Sequence, residues 1–330
     1  MDFNFRINRR SALKAGAALA AAYALPAAAQ AKPTLRLAAV FSDKDIRAGM
    51  IQMCSKDIEG DFTHDPFYNG SLFKQGTELV ALQRNNLEMG NVAPQDISNQ
   101  LPAWSLLTSA YLFRDANHLT AFFASDLGAQ MKKMVEDELK VKILGPTFFG
   151  TRQVGLKSKK KIMTPADMAG IKLRMPGGDA WQLLGRSLGA NPTPMAYAEV
   201  YTGLQSGTID GQDNPLPNVQ NMKFYEVSQQ IVLTSHLVGF DLWTISSTVW
   251  NKLSPADQAK VQAAADKALD WSAQKHLARE AELVQFFKDK GLQVYVPDTA
   301  AFRKFAQDKY LKSDLAKSWP AGVVDKINAL

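Results

Sequence analysis

Arg174, Arg152 and Asn214 stand out chemically because each falls at the end of an extended segment. In Gly170-Ile-Lys-Leu-Arg-Met-Pro176 the apolar Ile171, Leu173 and Met175 alternate with Lys172 and Arg174, the period of a strand with one face on a core. Pro176 stops the pattern, so Arg174 sits at the strand's carboxyl end. In open α/β sheets that end opens into the crevice where ligands bind, and a guanidinium there offers a planar fork that fits a carboxylate. Arg152 lies in Gly150-Thr-Arg-Gln153 and Asn214 in Asp210-Gly-Gln-Asp-Asn-Pro215. Each has a plain structural alternative. Either arginine could pair with a carboxylate of the fold, and Asn214 could cap a following helix with Pro215 at its first position.

Other chemistry finds little support. The four histidines, His64, His118, His236 and His276, never share a helical turn or a His-Glu-x-x-His arrangement, so no protein-built metal site is expected. Gly203-Leu-Gln-Ser-Gly207 has its serine one place late for a nucleophile elbow and reads as a helix end. No glycine-rich phosphate loop occurs, and no cofactor is expected. The single cysteine, Cys54, shares a helical face with Ile46, Met50 and Ile58, which predicts a buried, inert thiol. Lys157, Lys159, Lys160 and Lys161 read as a solvated turn.

The elements that must position the arginines follow a βαβ rhythm. A strand at 34–40, a helical pattern at 44–59 and an extended piece at 62–67 come first. A helix ending near Asn86, a strand at 87–93, a long helix at 117–139 and a strand at 141–146 follow. After Gly150 a second series begins, with strands near 153–156 and 171–175 and helices at 179–188 and 197–206. Strands at 209–213, 229–233 and 241–246 complete it. Ser254-Pro255-Ala-Asp257 starts a helix that runs to about Lys290, long enough to brace two domains. The fold class read from this is α/β with a largely parallel sheet, in two units with a cleft where the chain crosses between them.

The amino terminus reads as an address. Asn8-Arg-Arg-Ser-Ala-Leu-Lys14 is a twin-arginine signal, Ala15 to Leu25 is its apolar run, and Ala29-Gln30-Ala31 is a signal-peptidase site, so the mature chain is expected to begin near Lys32. The apolar run is too short to span a bilayer. Of the net charge of +6, the signal's Arg6, Arg9, Arg10, Lys14 and Asp2 carry three, leaving about +3, too mild for a nucleic-acid partner. A periplasmic protein is expected.

Three stretches together resemble the substrate-binding proteins of TRAP (tripartite ATP-independent periplasmic) transporters, of the dicarboxylate-transporter type. They are Gly170-Ile-Lys-Leu-Arg-Met-Pro176, Leu188-Gly-Ala-Asn-Pro-Thr-Pro-Met195 and Glu199-Val-Tyr-Thr-Gly-Leu-Gln-Ser-Gly-Thr-Ile-Asp-Gly-Gln-Asp-Asn-Pro215. Weaker similarity runs through Tyr111-Leu-Phe-Arg-Asp115 to Trp250-Asn-Lys-Leu-Ser254, although Ser109-Ala-Tyr-Leu112 departs from the Leu-Pro-Phe of many relatives. The resemblance implies two α/β lobes, joined by crossing strands and a long bridging helix, that close on an organic acid and hand it to TRAP membrane permease subunits. Lobe I is expected over 32–150 plus about 239–275, and lobe II over 151–238 plus about 276–330. By the same resemblance Arg174 is the carboxylate-gripping arginine, while Arg152 and Asn214 are further ligand contacts.

One arginine is not sufficient. A hydrogen bond to a charged group contributes roughly 1.5–3 kcal/mol, whereas micromolar binding needs about 8 kcal/mol. Further pocket candidates are Phe149, ahead of Arg152, with Trp181 and Phe240. Trp181 most economically lies in the core of its helix with Leu184 and Leu188; in the cleft it would offer a face to a sugar or aryl ring. Gln95 and His236 lie near strand ends and suit hydroxyl groups, His236 having a structural reading as well. The ligand expected is a sugar acid or other hydroxylated carboxylate, the protein a monomer. The competing reading is a lyase or isomerase in which Arg174 holds an acid while His236 or Glu78 moves a proton; a ligand carrier for a receptor is a third.

Overall fold

Alternation is plain at the edges of the sheet and obscured at its centre, and the centre is where the two halves meet. The computed structural model describes residues 32–330; the expected signal peptide lies outside the described residues. Thr34–Leu330 form one compact unit. Its strands are β1 (Thr34–Ala38), β2 (Thr63–Phe67), β3 (Met89–Val92), β4 (Val141–Leu156), β5 (Lys172–Met175), β6 (Asn191–Pro194), β7 (Gly211–Pro215), β8 (Gln230–Ser246) and β9 (Gln293–Tyr295). They form one sheet in the order β2-β1-β3-β8-β4-β7-β5-β6, with β9 alongside β8.

The expected largely parallel sheet is instead mixed. Two parallel wings, β2-β1-β3 and β7-β5-β6, are joined by antiparallel pairings through β8 and β4. The segments expected as four short strands are two long ones, of 16 and 17 residues, so each runs roughly 50 Å, at about 3.3 Å per residue, through both wings. Register shifts at Ile143/Gly145, Phe148/Gly150 and Arg152/Val154 break the period-two signal that would have revealed them. Between the last two bulges the strands pass very closely: a Cβ on Gly239 would meet the carbonyl oxygen of its partner Gly150 at 2.6 Å, and Gly150 has φ 112°.

Buried side chains cover both faces of each wing. Leu37, Met50, Cys54 and Trp243 fill one cluster, and Cys54 is fully buried with its thiol pushed up to about 12 by the loss of solvent and by Asp57. Leu173, Leu184 and Phe302 fill another beneath β5. The helix Pro255–Asp289, started by Ser254 as expected, gives Val261, Ala265 and Ala268 to the first wing and Leu283 and Phe287 to the second, so it braces both. The tail, expected with lobe II, divides: Phe302 and Ala306 pack on the second wing, but Val323 and Ile327 pack with Leu101 and Phe113 of the first.

The long helix expected over 117–139 is broken at Ser125, whose hydroxyl accepts from Gly128 N at 3.2 Å and starts a new helix, Asp126–Met134. A Cβ on Gly128 would lie 2.1 Å from Phe122 O, so the break depends on a glycine. The 203–207 stretch is a helix end, with Gly207 at φ 81°. Asn214 caps nothing: it lies within β7, and Pro215 occupies the cap position of the helix Leu216–Asn221.

Candidate functional site

Both arginines reach the same pocket from the second wing, but only one of them is neutralised. Arg152, on β4, donates from Nε to Asp213 Oδ2 at 2.7 Å and from Nη2 to Asp213 Oδ1 at 3.0 Å, a bidentate pair in which both side chains are almost fully buried. His236 Nε2 donates to the same Oδ2 at 3.1 Å, and its Nδ1 accepts from Thr234 Oγ1 at 2.7 Å. Burial alone would raise the Asp213 carboxyl, but Arg152 and His236 hold it well below the carboxylate range. Burial likewise depresses His236, against the pull of Asp213. The structural alternative for Arg152 is therefore realised, and His236, fully buried, braces Asp213 from behind.

Arg174 forms no such ion pair among the described residues. It is 1% exposed, and its guanidinium donates only to neutral oxygens: Nε to Met195 O at 2.9 Å and Nη2 to Gln75 Oε1 at 3.0 Å. Desolvation pushes it down to about 10, only partly offset by Asp213. Gln75 comes from the loop before Glu78 in the first wing, and its oxygen also accepts from Tyr197 N at 2.9 Å, so one side chain spans the wings.

Arg174, Arg152, Asn214, Glu78, Phe149 and Trp181 line a pocket with about 530 Å³ free of protein atoms, solvent at its mouth included. Trp181 does both things open to it: it packs with Leu184 and Leu188, and its ring faces the Arg152 guanidinium at 4.9 Å. Gln95 and Phe240 lie off the main pocket, in a small side cavity that shares Phe149, Arg152 and Trp181 as walls. His236 is not brought to either wall; it stands behind Asp213.

Sequence reasoning missed Arg47, Gln75, Asn91, Asp96, Tyr197 and Asp241, which also line the pocket. Arg47 is held by Asp45, through Nε to Oδ1 at 3.0 Å and Nη2 to Oδ2 at 2.9 Å, and by Asp241 Oδ2 at 2.7 Å from Nη1. Asp45 and Arg47 sit two residues apart just after β1, a spacing that could have drawn notice. Gln75 lies in a loop with no periodic signal. Several buried polar atoms of this pocket have no protein partner among the described residues: Glu78 Oε1, both amide atoms of Asn91, and Asn218 Oδ1. Such atoms cost roughly 1–3 kcal/mol each unless something else pairs with them. A hydroxyl, both donor and acceptor, suits all of them.

Three carboxyl groups, Glu78, Asp96 and Glu280, give a testable pH profile. Burial, then Asp96 and Asp241, push Glu78 up to about 8; burial and Asp241 push Asp96 up to about 7; burial pushes Glu280, which accepts from Thr151 N, up to about 7. Each holds its proton more tightly folded than unfolded, so stability falls as pH rises from the ordinary carboxyl range to these values. His64 and His276, depressed by burial to about 4, act oppositely but only below 6.5. Differential scanning calorimetry of the ligand-free protein should therefore show the melting temperature falling between pH 6.5 and 8, and Glu78→Gln should flatten the slope. A flat or rising parental profile contradicts the assignment.

Among the described residues no group of three or more His, Cys, Asp or Glu side chains could hold a metal ion. The family described as bacterial extracellular solute-binding protein, family 7, matches residues 44–315. The sialic acid-binding periplasmic protein SiaP of Vibrio cholerae is 35% identical over 70% of this chain and 70% of its own length. A TRAP periplasmic solute-binding protein from Roseobacter denitrificans, solved with 3-deoxy-D-manno-oct-2-ulosonic acid, is 46% identical over 90% of this chain and 99% of its own, with a TM-score of 0.89. A second from that organism, solved with L-galactonate, is 27% identical over 90% and 98%, with a TM-score of 0.81.

Proposed function

The chain belongs to family 7 of the bacterial extracellular solute-binding proteins, and from that premise we propose that it captures a sugar acid, or another hydroxylated carboxylate, between its lobes. It is a TRAP-type substrate-binding protein with the two-lobed α/β fold of its relatives, a transport component and not an enzyme. The carrying observation is the Arg174 guanidinium: buried at the pocket wall, held by neutral oxygens, and without a carboxylate partner among the described residues. The ligand carboxylate takes that place. Arg152 and Asn214 stand beside it, and the unpartnered oxygens of Glu78, Asn91 and Asn218 suit its hydroxyl groups. The acids bound by the Roseobacter relatives support this reading.

Contacts from both wings favour the closed arrangement, because a ligand shifts an equilibrium only by its differential affinity for the two states. We place one lobe at 32–150 plus about 239–275 and the other at 151–238 plus the following tail, with the last helix, Val323–Asn328, returned to the first. The closed, loaded protein presents the acid to TRAP permease subunits as a monomer. Export by the twin-arginine signal puts it in the periplasm, in keeping with the family; no described helix is long and apolar enough to cross a membrane.

A thermal-shift screen tests the reading. 3-Deoxy-D-manno-oct-2-ulosonic acid, L-galactonate, D-galacturonate, sialic acid and C4-dicarboxylates should separate, with at least one sugar acid stabilising the protein by about 2.7 kcal/mol at 100 times its Kd. A response confined to C4-dicarboxylates contradicts the reading.

A further inference from the structure

We infer that the pocket is polarised to take an acid with a single carboxylate, and that Glu78, Asp96 and Asp241 form a wall that accepts hydroxyl groups and rejects a second carboxylate. The inference rests on the reading of Arg174 as the anchor for the first. The two ends of the pocket differ in kind. On the second wing Arg152 is paired with Asp213, while Arg174 forms no ion pair among the described residues, so it is the unpaired cation. On the first wing the balance is reversed. Among the described residues Arg47 is the only guanidinium lining that side, and Asp45 and Asp241 already pair with it. Glu78 and Asp96 also line the pocket, and neither forms an ion pair among the described residues.

Glu78 is 3% exposed; its Oε2 accepts from Gly76 N at 2.7 Å, while its Oε1 has no partner among the described residues. Asn91, 4% exposed, has neither side-chain atom paired, and both residues line the same pocket. Unpartnered acceptors beside an unpartnered donor match a group that can both give and receive a hydrogen bond. A hydroxyl does so. A carboxylate only accepts, and with Arg47 already paired to Asp45 and Asp241 no free cation among the described residues on this side would compensate its lost hydration. Burial raises both groups, with Asp96 and Asp241 adding to it at Glu78 and Asp241 adding to it at Asp96, as expected of carboxyl groups crowded in one place.

The test is isothermal titration calorimetry on the full mature chain with L-galactonate, D-galacturonate and 3-deoxy-D-manno-oct-2-ulosonic acid, each with one carboxylate, against galactarate, a six-carbon polyol with a carboxylate at both ends. The parent should bind its best single-carboxylate acid at least about 100-fold more tightly than galactarate, a gap of about 2.7 kcal/mol at 1.36 kcal/mol per decade. Asp96→Asn, and Glu78→Gln with Asp96→Asn, should raise galactarate affinity about ten-fold or more; a gain of binding cannot arise from misfolding. Galactarate bound within ten-fold by the parent, or unimproved binding in both variants, overturns the inference and leaves the sugar-acid reading standing. Failure of all three single-carboxylate acids to bind overturns that reading and the inference with it.

Discussion

Arg174→Met should melt, without ligand, at or a few degrees above the parent, and should no longer respond to any organic acid. The direction follows from the absent counter-charge. A guanidinium that is 1% exposed has lost its hydration, and its shift from 12.5 to about 10 corresponds to a penalty on the order of 3 kcal/mol for the charged form. Methionine fills similar space without that penalty. What is lost is a donor to Met195 O, costing roughly 1–3 kcal/mol if that carbonyl stays dry; Gln75 Oε1 keeps Tyr197 N. These terms nearly cancel, leaving the free protein unharmed. Binding suffers far more, since two charge-assisted bonds to a carboxylate at roughly 1.5–3 kcal/mol each account for at least about 100-fold in affinity. Thermal melts with and without the best ligand of the parent read both effects. A strongly destabilised free protein would mean that Arg174 serves the fold.

Asp213→Ala should do the opposite and cost about 3–5 kcal/mol of stability, because it strands Arg152 in the interior without its bidentate partner. Replacing both, Arg152→Met with Asp213→Leu, should recover most of the loss, since a buried pair is often no better than apolar residues of like volume. Recovery will be incomplete because His236 Nε2 also loses its acceptor. Urea unfolding of the three proteins measures this. An Asp213→Ala protein as stable as the parent would contradict the buried pair. The two arginines thus predict opposite signs: removing the free one relieves the fold, and removing the partner of the other injures it.

That distinction could not be read from the sequence. The alternation around Arg174 places it at a strand's carboxyl end, Arg152 reads as lying at the end of an extended segment, and the resemblance attaches ligand contact to both. What separates them is Asp213, 61 residues beyond Arg152 in the chain and brought beside it only by the pairing of β4 with β7. The same kind of distance hid Gln75, whose contact with Arg174 spans 99 residues. Local signals did their work where the structure is local: the strand at Arg174, the capped start at Ser254, the helix end at Gly207. They failed at β4 and β8, where bulges interrupt the period, and at Ser125, where a glycine three residues on lets one helix become two.

The central claim is that the unneutralised guanidinium of Arg174 receives the ligand's carboxylate. A crystal structure of the complex with the acid giving the largest thermal shift tests it directly. We expect both carboxylate oxygens within about 2.7–3.0 Å of Arg174 nitrogens, with the hydroxyl groups towards Glu78 and Asn91. A carboxylate bound elsewhere, with Arg174 still held only by Gln75 and Met195, would contradict it.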